Sequence, residues 1–305
     1  MKILITPRSF RKDGPAYEML SRAGLEIVMN NSGGILSEEG LAQHIADCDG
    51  VILGVDPLTA DVIGKAPRLK AIAKYGVGID NIDQEACLAR GIRISRTLGA
   101  NADAVADYAF ALMLSVARNI IPIDAKCRKK DWSKTTSIDV FGKTLGLIGL
   151  GAIGRGMAAR AAGFGMRVLA HDVFWDDTAA KQAGISYAVP AQIYAKADFI
   201  SLHVPLTDQT RGMIGAAEIA AMKPTAIIIN TARGGIVDEN ALLDALQQGK
   251  IYGAGIDAFE EEPPSNPAWY GLANVVLGSH CAASTFGATE QMANMAAQNL
   301  LKDLE

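Results

Sequence analysis

The sequence predicts an α/β protein with two doubly wound parallel-sheet domains. Its 305 residues exceed the usual length of a single domain, so two domains are expected. Short β-branched runs alternate with longer amphipathic stretches, which is the pattern of βαβ units. A second, more apolar βαβ series starts near residue 144, and it divides the chain into two such sets of elements.

The first set lies in the N-terminal part of the chain. Strands are predicted over residues 3–6, 26–29, 50–54, 69–74 and 92–95. Helices are predicted over residues 15–23, 37–46 and 83–90, and Ser37 is the expected N-cap of the second helix. These elements make one small α/β domain, whose fourth strand is followed by the glycine-bearing loop Tyr75-Gly76-Val77-Gly78.

The second set follows a long helix predicted over residues 102–119. Its Ala, Leu, Met and Val residues indicate a buried helix, packed either within the chain alone or also against a second subunit. Six strands are predicted over residues 144–149, 167–171, 199–202, 226–229, 253–256 and 275–277. With their intervening helices these strands make one doubly wound domain, and a last helix over residues 288–300 closes the chain.

Composition and charge exclude several classes of protein. The net charge is −4 with acids and bases scattered, so no feature favours nucleic acid or an anionic membrane as a partner. The four cysteines form no CxxC pair and have no metal-ligand spacing, so we expect no metal site and a reducing compartment. The apolar N-terminal run is too short for a signal peptide, and no run approaches the ~20 residues that span a bilayer. A cytoplasmic protein is therefore expected.

A glycine motif, Gly149-Leu150-Gly151-Ala152-Ile153-Gly154, follows the first strand of the second domain. It precedes a small-residue helix predicted over residues 156–163, which is the context of a dinucleotide-binding turn. Gly149 permits the tight turn, and Gly151 lets the backbone approach a pyrophosphate that is bound by helix N-terminal amides. Gly154 allows the helix to pack closely on the strand.

An acidic residue, Asp172, follows the second strand of the same domain a little more than 20 residues later. Its carboxylate can accept hydrogen bonds from both hydroxyls of an adenosine ribose. No Arg or Lys follows at Val173 or Phe174, so NAD is favoured over NADP. The alternative is that Asp172 is a solvated acid at the end of a strand.

Three polar side chains follow later strands of the second domain, at the sheet edge where such folds bind ligands. Arg233 suits a substrate carboxylate, His280 suits a proton donor, and Glu262 suits a partner that keeps this histidine charged. Together they meet the demands of hydride transfer to a 2-oxo acid. Each alone has an ordinary structural alternative: a salt bridge, a solvated acid or a structural histidine.

These residues lie in motifs that resemble the D-isomer-specific 2-hydroxyacid dehydrogenase family, in its shorter phosphoglycerate dehydrogenase-like branch. The resemblance covers essentially the whole chain. The matching segments are the glycine motif, Lys74 to Asp83, Ser201 to Thr207, Asn230 to Gly235, Asp257 to Pro263, and His280.

The resemblance implies a role for each matching position. It makes Arg233 the residue that binds the substrate carboxylate, Glu262 the acid paired to histidine, and His280 the general acid and base. Further residues are expected near NAD: Gly149, Gly151, Ala152, Ile153, Gly154, Asp172, His203, Val204, Pro205, Thr231, Ala232, Asp257 and Ala282. The expected substrate contacts are Lys74, Tyr75, Gly76, Val77, Gly78, Arg8 and Arg96.

The resemblance also implies the domain layout and the assembly. Two Rossmann-like domains are expected, with the NAD-binding domain inserted into the substrate domain. Residues 1–97 and the returning helix at 285–305 would form the substrate domain, and residues 98–284 the NAD-binding domain. Family members usually form dimers through the NAD-binding domain, so a homodimer is expected, with the helix over residues 102–119 as a candidate interface.

Some positions depart from the family pattern. Cys281 stands where an apolar residue is common, and it is either an oxidation-sensitive thiol or a small buried filler. Asp107 replaces a usual Glu, and Arg96 a usual Asn. The regulatory extension of longer phosphoglycerate dehydrogenases is not expected.

The cations Arg8, Lys74 and Arg96 bear on the choice of substrate. They lie at or near strand ends of the first domain and would suit a distal phosphate, which favours a 3-phosphoglycerate-like substrate. The alternatives are glyoxylate or hydroxypyruvate, with the cations as solvated surface charges. A non-catalytic, NAD(H)-sensing binding protein is a rival from another class. Formate-oxidising relatives are disfavoured because they carry Gln where Glu262 stands.

Overall fold

The computed structural model describes all 305 residues and divides into two compact units. One consists of residues 1–101 and 284–305, and the other of residues 102–283. The second unit is thus inserted into the first. Both are built around parallel sheets, which confirms the predicted fold class. That the first unit binds substrate and the second binds NAD remains a prediction at this point.

The strands and helices are numbered in chain order. The strands are β1 (Lys2–Ile5), β2 (Glu26–Met29), β3 (Gly50–Leu53), β4 (Ala71–Lys74), β5 (Arg93–Arg96), β6 (Thr144–Ile148), β7 (Arg167–His171), β8 (Ile185–Tyr187), β9 (Phe199–Leu202), β10 (Ile227–Asn230), β11 (Gly253–Ile256) and β12 (Val275–Leu277). The helices are α1 (Pro15–Arg22), α2 (Glu38–Ile45), α3 (Ala60–Gly64), α4 (Gln84–Ala89), α5 (Ala102–Ala117), α6 (Ile120–Arg128), α7 (Ala152–Gly163), α8 (Asp177–Gln182), α9 (Pro190–Lys196), α10 (Ala216–Ala220), α11 (Glu239–Gln247), α12 (Ala268–Gly271) and α13 (Phe286–Leu304).

The first unit is a five-stranded parallel sheet in the order β2-β1-β3-β4-β5. Its inner strands β1, β3 and β4 are short, mainly apolar runs because both faces of the sheet are covered by helices. One face packs on α2 and α3, and the other on α1 and α13. The order reverses between β1 and β3, and loops after these strands meet at that edge.

The second unit is a seven-stranded parallel sheet in the order β12-β11-β10-β9-β6-β7-β8. The order reverses between β6 and β9, which is where doubly wound sheets bind dinucleotides. Its two hydrophobic cores lie on opposite faces of the sheet. Within this unit, α5 packs against α7, β10 and β11, so its apolar face is buried inside the chain. Its predicted role in a dimer stays a prediction.

Three expectations about the second unit were wrong in detail. The sheet has seven strands rather than six, because β8 adds a three-residue strand at the edge beside β7. Helix α7 begins at Ala152, inside the glycine motif, rather than at residue 156. The long helix ends at Ala117, and after a left-handed residue at Asn119 a separate helix, α6, begins. In the first unit, Ser37 is confirmed as the N-cap of α2, since its hydroxyl accepts from Gly40 N.

No single helix is both long and apolar enough to cross a bilayer. Only α5 and α6 taken together, across a 62° bend, reach such a length and composition.

Candidate active site

The first turn of the site, after β6, is built on Gly149. Its φ of 97° lies in the left-handed region, which glycine adopts without steric cost. A Cβ at this position would lie 2.5 Å from the backbone oxygen of His203. The Gly149 amide donates to His171 O at 2.8 Å, so the turn is also fixed to the end of β7. Both the conformation and the close packing therefore require glycine here.

The middle glycine, Gly151, has a different reason to be small. Its φ of −68° is ordinary, and no protein atom lies within 4 Å of the position a Cβ would take. Neither strain nor packing requires glycine at this position. Because Gly151 has no side chain, the space at the N-terminus of α7 is open. The first amides of this 12-residue helix, from Ala152 onward, have no side-chain cap. This space and these amides fit the pyrophosphate of a dinucleotide.

The third glycine, Gly154, lies against the first turn: a Cβ there would overlap Gly149 O. Ile153 packs partly into the core beside it. The close approach of helix and strand follows from the absence of a side chain at Gly154, as the motif predicts.

Asp172 connects the glycine turn to the end of β7. Its Oδ2 accepts from Leu150 N at 2.6 Å, and its Oδ1 accepts from Phe174 N at 2.8 Å. The half-buried carboxylate thus holds both loops, and each oxygen keeps a further lone pair with which to accept from a ribose hydroxyl.

The segment after β9 lies beneath the glycine motif. His203 N donates to Ile148 O at 2.7 Å, and its Nε2 lies 2.9 Å from Ser201 Oγ. Burial of the ring lowers the pKa of His203 to about 4, so the imidazole is neutral at physiological pH. Val204 approaches Gly149, and the Pro205 carbonyl accepts from Thr210 Oγ1 at 2.6 Å. His203 therefore supports the motif and cannot supply a positive charge there.

The turn after β10 presents Arg233. Buried Asn230 holds this turn: its Oδ1 accepts from Ala232 N at 3.0 Å, and its Nδ2 donates to Arg233 O at 2.8 Å. Arg233 Nη1 donates to Ala232 O at 2.7 Å. Thr231 contributes a buried hydroxyl oxygen that has no hydrogen-bond partner in the protein. The turn thus offers a guanidinium and a polar atom beside it.

The Arg233 turn also lies against the loop that carries Glu262. A Cβ on Gly234 would overlap the backbone of Phe259 and Glu260, so glycine lets the two loops touch. Glu262 Oε1 accepts from Phe259 N at 3.1 Å, which directs the carboxylate back along its own loop.

Glu262 and His280 form the predicted pair. His280 Nδ1 lies 2.8 Å from Oε1 and 3.0 Å from Oε2 of Glu262. Burial alone would raise the pKa of Glu262, but the hydrogen bond and charge of His280, together with Phe259 N and the charge of Arg233, outweigh it and lower the pKa. Glu262 is therefore an ionised acceptor at neutral pH. Because Nδ1 is engaged, Nε2 of His280 faces outward from the pair.

Asp257, which follows β11, stabilises the turn that contains His280 through hydrogen bonds. Asp257 O accepts from His280 N at 2.9 Å, while its carboxylate accepts from Cys281 N at 3.1 Å and Ala282 N at 2.9 Å. Asp257 is buried, and burial raises its pKa against the opposing effect of these amides. Asp257 and Ala282, which are both predicted to lie near NAD, are thus hydrogen-bonded to each other in the protein.

In the first unit, the structure corrects the predicted role of Lys74. The side chain is buried, and its ammonium donates to Gly54 O at 2.5 Å and Asn81 Oδ1 at 2.6 Å. Asn81 Nδ2 in turn donates to Asp56 O at 2.6 Å. Lys74 therefore ties the loops after β3 and β4 together, and its ammonium is not presented to a substrate phosphate.

The loop after β4 is also more structural than predicted. The Tyr75 hydroxyl donates to Thr289 O at 2.8 Å and so ties the loop to α13. The Gly76 amide donates to Thr97 Oγ1 at 2.9 Å and to Lys74 O at 3.1 Å, so it is not free to bind a carboxylate. No hydrogen bond engages the amides of Val77 and Gly78. Of the residues in this loop that are expected to contact the substrate, only Val77 and Gly78 therefore have a main-chain amide that no other group engages.

The two remaining cations, Arg8 and Arg96, are exposed. The main-chain oxygen of Arg96 accepts from Asn299 Nδ2 at 3.2 Å on α13. Neither guanidinium forms an ion pair, so the structure leaves both available to solvent or to an anion.

Sequence reasoning missed several residues that build the site. Asn230 and Ser201 lie within quoted motifs, and alternating polar residues at the strand ends were the available signal. Tyr108 was not identified at all: its hydroxyl lies 3.3 Å from Cys281 Sγ, a contact between residues 173 positions apart. No local pattern signals such a contact.

The fold and these turns define a dinucleotide-dependent oxidoreductase. The family profile described as D-isomer specific 2-hydroxyacid dehydrogenase, NAD binding domain, matches residues 110–282. The chain belongs to this family, and it is an NAD-dependent oxidoreductase of the class that acts on small hydroxy and oxo acids.

Relatives and solved structures agree with this assignment. The chain is 44% identical over 271 residues to a glyoxylate reductase of Thermococcus litoralis, covering 86% of this chain and 82% of that protein. It is 41% identical over 273 residues to a D-3-phosphoglycerate dehydrogenase of Methanocaldococcus jannaschii, covering 88% of this chain and 52% of that longer protein. The crystal structure of the TT0316 protein from Thermus thermophilus has a TM-score of 0.90 at 36% identity, covering 100% of this chain and 97% of that one.

Proposed function

We propose that the chain catalyses the NADH-dependent reduction of a small unphosphorylated 2-oxo acid, such as glyoxylate or hydroxypyruvate, and the reverse oxidation. One observation carries this proposal: His280 Nδ1 lies 2.8 Å from an ionised Glu262 in a unit that also contains a dinucleotide-binding turn. An imidazole fixed in this way has one nitrogen assigned to its partner and the other to a substrate.

His280 handles the proton in this proposal. The Glu262 carboxylate accepts from Nδ1 and stabilises the imidazolium, so Nε2 carries the proton that is donated to the substrate oxygen. In the oxidation, neutral Nε2 accepts the same proton from the hydroxyl group. Bound NADH supplies the hydride, and the space at Gly151, the α7 amides and the Asp172 carboxylate are the groups that would hold the cofactor.

Arg233 binds and polarises the substrate. Its planar guanidinium suits a carboxylate, and the positive charge favours the electron density that develops on the oxygen at C2. Asn230 fixes the main chain on either side of this residue, so little conformational entropy is lost on binding.

The choice of an unphosphorylated substrate rests on Lys74 and on the relatives. The Lys74 ammonium is buried and bonded to Gly54 O and Asn81, which removes one of the three cations of the predicted phosphate site. Several relatives at 38–44% identity are glyoxylate reductases. A 3-phosphoglycerate-like substrate remains the second candidate, because Arg8 and Arg96 are exposed and one 41% identical relative is a D-3-phosphoglycerate dehydrogenase.

The test is a comparison of kcat/KM for glyoxylate, hydroxypyruvate and 3-phosphohydroxypyruvate, each with NADH and with NADPH. We expect an unphosphorylated acid to be preferred by about tenfold or more, since a phosphate that finds no cationic partner loses hydration without a compensating interaction. NADH should be preferred over NADPH because the Asp172 carboxylate would repel a 2′-phosphate.

Two outcomes would change the conclusion. A preference for the phosphorylated acid that is lost in Arg8→Met and Arg96→Met would establish the second candidate. No NADH oxidation with any 2-oxo acid of the panel would overturn the proposed function.

A further inference from the structure

Cys281, the residue after His280, contacts two polar groups from distant parts of the chain. Its Sγ lies 3.3 Å from the hydroxyl of Tyr108 and 3.7 Å from Oδ1 of Asp257. Tyr108 lies on α5, which is buried in the core of the second unit against β10 and β11. The contact therefore connects the turn that presents His280 to a fixed helix.

The turn needs support because its backbone is strained. His280 has a φ of 55°, in the left-handed region that a residue with a side chain adopts at a cost of about 1 kcal/mol or more. Glycine would remove this strain but also the imidazole. The conformation persists because Asp257 accepts hydrogen bonds from the main-chain amides of His280, Cys281 and Ala282.

Asp257 in turn depends on donors around it. Its carboxylate is buried, and burial raises its pKa, so each hydrogen bond to it favours the ionised form. Burial also raises the pKa of Tyr108, followed by its contacts with Cys281 and Asp257, so the phenol stays protonated. The Cys281 thiol donates to the Tyr108 hydroxyl at 3.3 Å, and Asp257 Oδ1 is a second, longer acceptor at 3.7 Å, so the phenol, the thiol and the carboxylate form one cluster.

Gly278 shows how tightly these groups pack. A Cβ at this position would overlap Asp257 Oδ1 and lie 2.8 Å from the Tyr108 hydroxyl. The carboxylate and the phenol thus both reach over the same backbone position, two residues before His280. A shift of Tyr108 would be transmitted directly to this strand end.

We propose that Tyr108 and Cys281 are positioning residues for the hydride-transfer reaction: their contact, the phenol–thiol brace, holds the Asp257-bound turn so that His280 stays aligned with Glu262. This inference rests on the proposed function of His280. It assigns Cys281 a structural hydrogen-bonding role in catalysis, in place of the two alternatives of a sensor thiol and an inert filler.

The test is a double-mutant cycle on Tyr108→Phe and Cys281→Ala. Each single variant is expected to lower kcat for glyoxylate by about three- to tenfold, the effect of one lost hydrogen bond. The dissociation constant for NADH, measured by fluorescence titration, should stay within about twofold. The double variant should match the singles, because both substitutions remove the same contact. Cys281→Ser, which keeps a donor, should restore most of the activity.

A second readout does not depend on activity. In Tyr108→Phe the thiol loses the nearer of its two acceptors, which had stabilised the protonated form, so alkylation of Cys281 by iodoacetamide, followed by peptide mass spectrometry, should be faster than in the wild type. Cys127, on α6, serves as the internal reference in the same sample. Tyr252→Phe is the matched control: it removes a phenol bonded to Asn119 at 2.7 Å in the same unit, and kcat should not change.

The outcomes separate the brace from the proposed function. Wild-type kcat in both single variants, effects that multiply in the double variant, or an unchanged alkylation rate would each overturn the brace. A wild-type protein that turns over no 2-oxo acid would overturn the proposed function, while the alkylation rate would still report on the contact of Tyr108 with Cys281.

Discussion

Two turns of the second unit place a left-handed residue just beyond a parallel strand, but they use different residues to do so. After β6 the residue is Gly149, with a φ of 97°, and after β12 it is His280, with a φ of 55°. The first turn has to present only main-chain amides, so glycine is sufficient. The second has to present an imidazole, so the strain of a side chain must be balanced by Asp257, Cys281 and Tyr108. The turn that presents main-chain amides is marked in the sequence by a glycine motif. The turn that presents a side chain is stabilised by residues that are distant in the sequence.

The largest effect is expected when the side chain of His280 is removed from the second turn. His280→Ala is expected to lower kcat by about 100- to 10,000-fold, because the proton donor is lost. NADH affinity should stay close to that of the wild type, since the glycine turn is untouched. Steady-state kinetics and fluorescence titration measure the two quantities. His44→Ala is the control, because His44 is an exposed residue of α2, and wild-type turnover in His280→Ala would remove His280 from the proposed role.

Adding a side chain to the first turn tests its backbone. Gly149→Ala is expected to lower the free energy of unfolding by about 2–4 kcal/mol, because of the left-handed φ and the approach to His203 O. Urea denaturation measures this change. Gly163→Ala is the matched control, since no atom lies within 4 Å of that Cβ and alanine favours the helix. Equal stability of both variants would contradict the account of the turn.

A substitution of Gly151 separates the contribution of the first turn to stability from its contribution to NADH binding. Gly151→Val should lower the free energy of unfolding by at most about 1 kcal/mol, the size of an N-cap effect. It should weaken NADH binding by about tenfold or more, because the valine fills space next to the helix amides that are proposed to bind phosphate. Fluorescence titration checks the affinity. Unchanged NADH binding would show that the pyrophosphate lies elsewhere.

The smallest expected effect concerns the pH dependence of stability at the second turn. The pKa of Glu262 is lowered in the folded protein, so its ionised form stabilises the fold above the unfolded pKa of about 4.3, and this contribution is lost as pH falls through the folded pKa. Glu262→Gln should therefore be less stable than the wild type at about pH 6, with a difference that shrinks at more acidic pH. Since the side chains of His280 and Glu262 are 36% and 37% exposed, we expect the difference in the free energy of unfolding to be less than about 1 kcal/mol. A difference that grows on acidification would contradict the sign.

Most of the fold could be predicted because the strands are short apolar runs with clear ends. Strands β2, β7, β9, β11 and β12 have the predicted bounds. Strand β8 was missed because three residues at a sheet edge carry too little periodicity to distinguish them from a loop. The start of α7 was misplaced because glycines in the motif hide the helical pattern, although the helix begins at Ala152.

The candidate site was predictable only where its residues follow strand ends. Arg233, Glu262 and His280 could be identified because parallel strands end at one sheet edge. The role of Lys74 was not predictable, because its burial depends on Asn81 and Gly54 O in another loop. Tyr108 lies on an apolar helix whose period gives no sign that one hydroxyl reaches a loop 173 residues later.

The His280–Glu262 pair is proposed to give a proton to the substrate in one direction and to take it back in the other. The most direct measurement is the pH dependence of kcat/KM in both directions, over about pH 5 to 9. We expect the reduction of glyoxylate to slow with rising pH and the oxidation of glycolate to accelerate over the same range, with both slopes absent in Glu262→Gln/His280→Ala. Profiles that are flat, or that slope in the same direction for both reactions, would contradict the account.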